Sequence, residues 1–140
     1  MMYDEHHLDE TGKPTPIGVI RLVPPPHPTH KDEPEGSSQE IDHDEPYVKL
    51  TRVALLAAYR GKGLGRVLIE TALNWAVEHR QKIVKLLDTG KQWTGLSMIH
   101  AQVDVEAMYA RVGFVTDKSM GRWMEEGIEH VGMWKRVSLN

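Results

Sequence analysis

Arg60-Gly61-Lys62-Gly63-Leu64-Gly65-Arg66 is the stretch of this 140-residue chain whose residue types and spacing most directly specify chemistry. Gly61, Gly63 and Gly65 let the backbone turn sharply and come close to a ligand where any Cβ would intrude. Leu64, Leu68, Ala72 and Trp75 follow at helical spacing, so a helix opens inside the turn. The unpaired N–H groups of its first turn and the positive end of its dipole then face one point, with Arg60, Lys62 and Arg66 around it. That is an anion site, suited to a phosphate or pyrophosphate. Spacing excludes two phosphate loops: G-x-G-x-x-G from Gly61 needs glycine where Arg66 stands, and no G-x-x-x-x-G-K-[ST] run occurs. A strand-to-helix turn without a ligand is the competing explanation on these residues alone.

Groups that could move a proton lie near the C-terminus. His130 carries the side chain that exchanges protons near neutral pH, and Glu125 and Glu126 lie just before it. His27, His30, Asp32 and Glu33 include an H-x-x-H spacing compatible with a metal, but nothing arranges a fourth ligand or a second shell, so a solvated loop without metal is expected. There is no G-x-S-x-G motif and no internal repeat, and the four tryptophans are scattered as core or interface fillers.

The elements that position these residues follow from periodicity. Tyr47–Ala57 is mostly apolar or β-branched and reads as a strand buried on both faces, leading into the glycine turn. Pro16–Val23 reads as an earlier strand, halted by Pro24-Pro25-Pro26. Residues 1–15 lack a periodic pattern and are expected to be a loose lead-in; residues 24–46 are rich in Pro, His and acid and are expected to form a long mobile loop. The central helix runs to about Arg80, with a stop near Asp88-Thr89-Gly90-Lys91. Leu96–Ala101 reads as a strand parallel to the first, because a helix crosses between them. Gln102–Val112 is helical by spacing, closed by Gly113-Phe114. Short strands at Phe114–Thr116 and Arg122–Met124, then a terminal strand Ile128–Val137, complete one α/β (α+β) domain over 1–140.

Composition narrows the partners. A net charge of −3 and a pI near 6.2, without a basic run, argue against nucleic acid or an anionic membrane surface. Cysteine is absent, so there is no disulfide framework, thiolate metal site or cysteine nucleophile. The polar, acidic opening Met1-Met2-Tyr3-Asp4-Glu5-His6 has no signal-peptide, transit-peptide or transmembrane pattern, and a cytoplasmic location is the expectation.

R-x-x-G-x-G through Arg60, Gly63 and Gly65, with its preceding strand, resembles the acetyl-coenzyme A (acetyl-CoA) binding motif of the GNAT superfamily of N-acetyltransferases. Ala101-Gln102, Met108-Tyr109 and Gly113-Phe114 resemble the second motif of that superfamily, and Glu125 to Met133 is similar to its last strand. The resemblance covers about Pro16 to Lys135. It implies a mixed, mostly antiparallel central sheet with a splayed parallel strand pair. It also implies an N-acetyltransferase that uses acetyl-CoA as cosubstrate to acetylate a primary amine of a small molecule or protein. Backbone groups of Val53, Ala54 and Leu55 would bind pantetheine. Gly61, Lys62, Gly63, Leu64 and Gly65 would hold the pyrophosphate, helped by Arg60 and Arg66. Gln102 stands where many relatives have asparagine beside the coenzyme. Tyr109 would lie beside the sulfur as general acid, with His130, or water, taking the proton of the amine. The superfamily normally opens with a strand and two helices that wall the acceptor pocket, whereas 15 loosely patterned residues precede Pro16 here. Either the chain is a truncated or alternatively started form, or that wall is expected to be absent or supplied by a second subunit in a homodimer. The alternatives are a CoA-binding relative without turnover, acting as a sensor or subunit, and a site for another phosphate-bearing ligand such as a nucleotide.

Overall fold

The computed structural model describes residues 1–25, 27, 45–85 and 91–140. Strand β1 (Met2–Leu8) pairs antiparallel with β2 (Pro14–Val23). Asp9 knots the turn between them: its Oδ1 accepts from the Thr11 hydroxyl at 2.6 Å and from the backbone N–H groups of Thr11 and Lys13 at 2.8 and 3.0 Å. Residues 2–8 are therefore sheet, not the loose lead-in that their composition suggests. Only Met2 and Asp4 are even half-buried, so the ladder with β2 holds a strand that hydrophobic alternation does not announce. Apart from Pro24, Pro25, His27, Glu45 and Pro46, the loop expected across 24–46 lies outside the described residues, as does the stop at 88–90.

The chain continues through β3 (Val48–Leu55), helix α1 (Leu64–Glu78), a short α2 (Arg80–Lys85), β4 (Leu96–Gln102), α3 (Glu106–Arg111), β5 (Val115–Thr116), β6 (Arg122–Glu125) and β7 (Ile128–Arg136). The expected helix at 102–112 begins later, because Gln102 ends β4 and a 3-10 turn at Val103–Val105 precedes α3. The described strands form one seven-stranded sheet in the order β1-β2-β3-β4-β7-β5, with β6 also on β7. Among the described residues, β3–β4 is the single parallel pair, and α1 is the crossover that permits it. This is a mixed α+β fold with a mostly antiparallel sheet.

Helix α1 packs Leu68, Ile69, Ala72, Leu73 and Ala76 onto β2 and β3. Each buried leucine or isoleucine there contributes about 1.5–3 kcal/mol. Trp75, on the apolar stripe by spacing, is instead 47% exposed and stacks on His79 with ring centroids 4.1 Å apart. Trp93 and Trp123 are buried.

Candidate active site

The parallel pair comes apart. Val48, Lys49 and Leu50 pair with Ser97, Met98 and Ile99, and there the β3–β4 ladder ends although both strands continue. β3 stays with β2 as far as Leu55↔Gly18, and β4 stays with β7 as far as Gln102↔His130, so a fork opens between two intact halves of the sheet. A bulge produces the bend: Val19↔Ala54 and Arg21↔Thr51 enclose an extra residue on β3, and Arg52 there has φ 57°, uncommon for a residue with a side chain. Val48 and Leu50 are buried, but from Thr51 onward the strand is half-buried or exposed. The expectation of burial on both faces fails at the fork, where β3 lines a cleft of about 1080 Å³.

The glycine turn closes the mouth of this fork. Gly61 and Gly63 have φ of +77° and +78°, which L-residues with a Cβ rarely adopt, and Gly63 is the N-cap of α1. No side chain caps that helix, and its first turn holds no acidic residue, so its N-terminal N–H groups and dipole are uncompensated by protein. Arg60 donates from Nε to the Leu55 carbonyl at 3.1 Å, tying the turn to the end of β3. Arg66 lies one helical turn before Glu70 and pairs with it at 2.8 Å, an exposed contact.

Tyr109, on α3, reaches the cleft from the β4 side and packs edge-on to Phe114 with ring centroids 6.1 Å apart. Burial pushes its hydroxyl up to about 12, so it keeps its proton throughout the neutral range.

A second cluster lines the same cleft. β7 pairs with β4 on one side and β6 on the other, so His130 stands opposite both Gln102 and Trp123, while His100 stands opposite Gly132 and Glu125 opposite Ile128. Residues opposite one another, and two apart along a strand, share a face; His100, Trp123, Glu125 and His130 therefore converge. Glu125 Oε1 accepts from His100 Nδ1 at 2.8 Å and from Trp123 Nε1 at 2.7 Å. Glu125 Oε2 lies 3.9 Å from His130 Nε2, while His130 Nδ1 donates to the Ile128 carbonyl at 2.7 Å. The His100 hydrogen bond, helped by Trp123 and by both imidazoles and opposed by burial, holds the Glu125 carboxyl down at about 2. Glu126 and Gly127, with φ of 52° and 77°, make the two-residue turn that ends β6 at Glu125.

Of the residues singled out in the sequence, Val53, Ala54, Leu55, Arg60, Gly61, Gly63, Leu64, Gly65, Arg66, Gln102, Tyr109 and His130 all line this one cleft. Lys62 does not: its Nζ lies over the Tyr59 ring, 5.7 Å from the centroid. Of the histidine-rich metal candidate only His27 is described, and it stacks on Tyr47. His100 was not singled out. Its relation to Glu125 runs through strand pairing across β7, which the local pattern Leu96-Ser97-Met98-Ile99-His100-Ala101 does not encode.

A mostly antiparallel sheet, forked at its parallel pair and closed by an uncapped glycine-turn helix, defines the acyl-CoA N-acyltransferase-like fold. The chain belongs to the acetyltransferase (GNAT) family, whose model matches residues 4–114. It is 28% identical over 113 residues to the uncharacterized protein YyaT of Bacillus subtilis (strain 168), a match covering 79% of this chain and 64% of that protein. It is similar in structure to an acyl-CoA N-acyltransferase from Pseudomonas aeruginosa, with a TM-score of 0.50, 27% identity, and coverage of 89% of this chain and 62% of that one. The fold is also that of Arabidopsis thaliana NAA60, solved with a bisubstrate analogue, with a TM-score of 0.59, 13% identity, and coverage of 97% and 73%. The chain thus spans less than two thirds of YyaT and of the Pseudomonas protein.

Proposed function

We propose that this chain is an acetyl-CoA dependent N-acetyltransferase acting on a primary amine. The observation that carries the reading is the juxtaposition, in one cleft, of unpaired strand backbone at the fork and an uncapped helix N-terminus flanked by Arg60 and Arg66. An extended amide chain such as pantetheine can hydrogen-bond to the open edge of β3 around Val53, Ala54 and Leu55 as an added strand would. The Leu55 carbonyl already accepts from Arg60, which leaves the other backbone groups of this edge for the ligand. The pyrophosphate sits on the turn from Gly61 to Gly65, and Gln102 flanks the chain from the end of β4.

In this reading the coenzyme supplies the thioester, and the side chains of the cleft handle protons. The neutral amine attacks the carbonyl carbon, the C–N bond forms, and the C–S bond breaks as the thiolate leaves with the electron pair. Tyr109, protonated in the ground state, donates to the sulfur as charge develops there. His130, or a water beside it, accepts the proton lost from nitrogen.

The test is to supply acetyl-CoA with a panel of primary amines, follow release of the thiol, and identify the acetylated product by mass. Product that requires the protein and falls sharply in Tyr109→Phe supports the reading. Coenzyme binding without product from any amine would instead place the chain among relatives that bind CoA without turning it over.

A further inference from the structure

The glycine turn has to keep one shape to receive a ligand, and its own residues do little to hold that shape. Gly61 and Gly63 both take positive φ, and a Cβ at either position would meet no protein atom within 4 Å, so side-chain packing does not fix them. Glycine loses more conformational freedom on being ordered than any other residue, and a ligand that had to order the turn would bind more weakly for it. Arg60 reaches back only to Leu55, on the strand that delivers the turn.

The anchor comes from the far edge of the sheet. The Tyr59 hydroxyl donates to Asp4 Oδ2 at 2.7 Å, joining residues 55 positions apart. Among the described residues this is the one hydrogen bond that ties residues 57–63 to a strand other than β3. Leu56, just before them, donates its backbone N–H to the Ile17 carbonyl at 2.8 Å. The chain is therefore pinned to β2 as it leaves β3, and to β1 immediately before the glycines.

Both partners are set for this contact. Asp4 and Tyr59 are half-buried, and Asp4 Oδ1 accepts from the His6 N–H at 2.9 Å, which fixes the carboxylate on β1. A hydroxyl on a carboxylate is the stronger kind of hydrogen bond. It holds the Asp4 carboxyl below its ordinary range and pushes the Tyr59 hydroxyl above its own. The Tyr59 ring also lies under Lys62 Nζ, so one side chain touches β1 at its tip and the residue between the two glycines at its face. β1 buries little apolar surface, with only Met2 and Asp4 even half-buried; what it brings to the site is this carboxylate.

We propose that Asp4 is a positioning residue: through Tyr59 it holds residues 57–63 in the ligand-receiving conformation before the coenzyme arrives. The identity of that ligand rests on the acetyltransferase reading, whereas the hold on the turn does not.

The experiment measures amide hydrogen exchange in the unliganded protein and the Kd for acetyl-CoA, in wild type, Asp4→Ala, Tyr59→Phe, the double variant and Asp4→Asn. Asp4→Ala and Tyr59→Phe should each speed exchange over residues 57–63 and leave residues 68–76 of α1 unchanged. Each should raise the Kd about fivefold, as a turn less often in its competent shape requires. The double variant should lose no more than the worse single one, because both changes break the same link. Asp4→Asn should recover most of the loss, since a hydroxyl can donate to the amide oxygen or accept from the amide nitrogen. Unchanged exchange in the turn, an unchanged Kd, additive losses or no recovery in Asp4→Asn would overturn the proposal. If Asp4→Ala loosens the whole protein, Tyr59→Phe, which leaves β1 intact, decides by the same two readings. If wild type binds no acetyl-CoA, the coenzyme reading fails, and exchange in the turn alone decides: faster in Tyr59→Phe sustains the anchor, and equal rates overturn it.

Discussion

The two ends of the cleft are built in opposite ways. The end proposed for the coenzyme is made chiefly of backbone: the arm of the fork formed by β3, two glycines with positive φ and the bare start of α1, all within one continuous stretch from Val48 to Arg66, with β4 as the other arm. The other end is made of side chains, His100, Trp123, Glu125 and His130, brought from three strands by pairing across β7. A backbone site depends on conformation and tolerates side-chain change. A side-chain site depends on register and is lost with single atoms.

The largest effect should come from the backbone end. Gly63→Val forces a β-branched residue to φ +78° and places methyl groups where the ligand must approach, although a Cβ there meets no protein atom within 4 Å. Losing charge-assisted contacts to a pyrophosphate should weaken CoA binding about 100-fold or more while the protein stays folded. Gly12→Val, at φ +81° and equally open space in the β1–β2 turn, imposes the same strain far from the cleft and should leave binding unchanged. Calorimetry and circular dichroism on both variants separate strain from ligand contact; equal loss of binding in both would erase the contrast.

Tyr109→Phe, on α3, should lower kcat about 100-fold with CoA affinity nearly unchanged. A change in affinity alone would reduce Tyr109 to a packing residue.

Glu125 links site and stability. Its carboxyl is depressed from 4.5 to about 2, so its stabilising effect is fully present above about pH 4.5 and fades as pH falls toward 2. Urea unfolding of wild type and Glu125→Gln should differ by up to about 3 kcal/mol at pH 7, with the gap narrowing at pH 3. A gap independent of pH would mean that packing, not charge, sets it.

The smallest effects belong to exposed cations. Arg60→Ala should weaken CoA binding by about tenfold, less at high salt, because an exposed guanidinium is screened. Lys62→Ala should change it less than about twofold, since an exposed cation over a ring is worth at most about 1 kcal/mol and Lys62 points away from the cleft. Equal losses in the two would show that net charge near the turn matters more than aim.

What could be read in the sequence follows the same division. The turn, its helix and the strand before it are local, and glycine spacing with helical periodicity declares them. The fork was legible only through the family resemblance, because the bulge at Arg52 bears no glycine to mark it. β1 was missed because its residues are polar and its stability comes from a ladder. His130 was found as a residue type, but its setting was not: Trp123, at 2.7 Å from Glu125, is two residues away on β6, whereas His100, at 2.8 Å, is brought to Glu125 by register across β7.

The central claim is that the fork and the glycine turn form one coenzyme site. Calorimetric titration of the chain with acetyl-CoA, run beside ATP, tests it most directly. Micromolar binding of acetyl-CoA that ATP does not mimic and Gly63→Val abolishes is the predicted result. Equal binding of ATP, or acetyl-CoA binding indifferent to Gly63→Val, would contradict it.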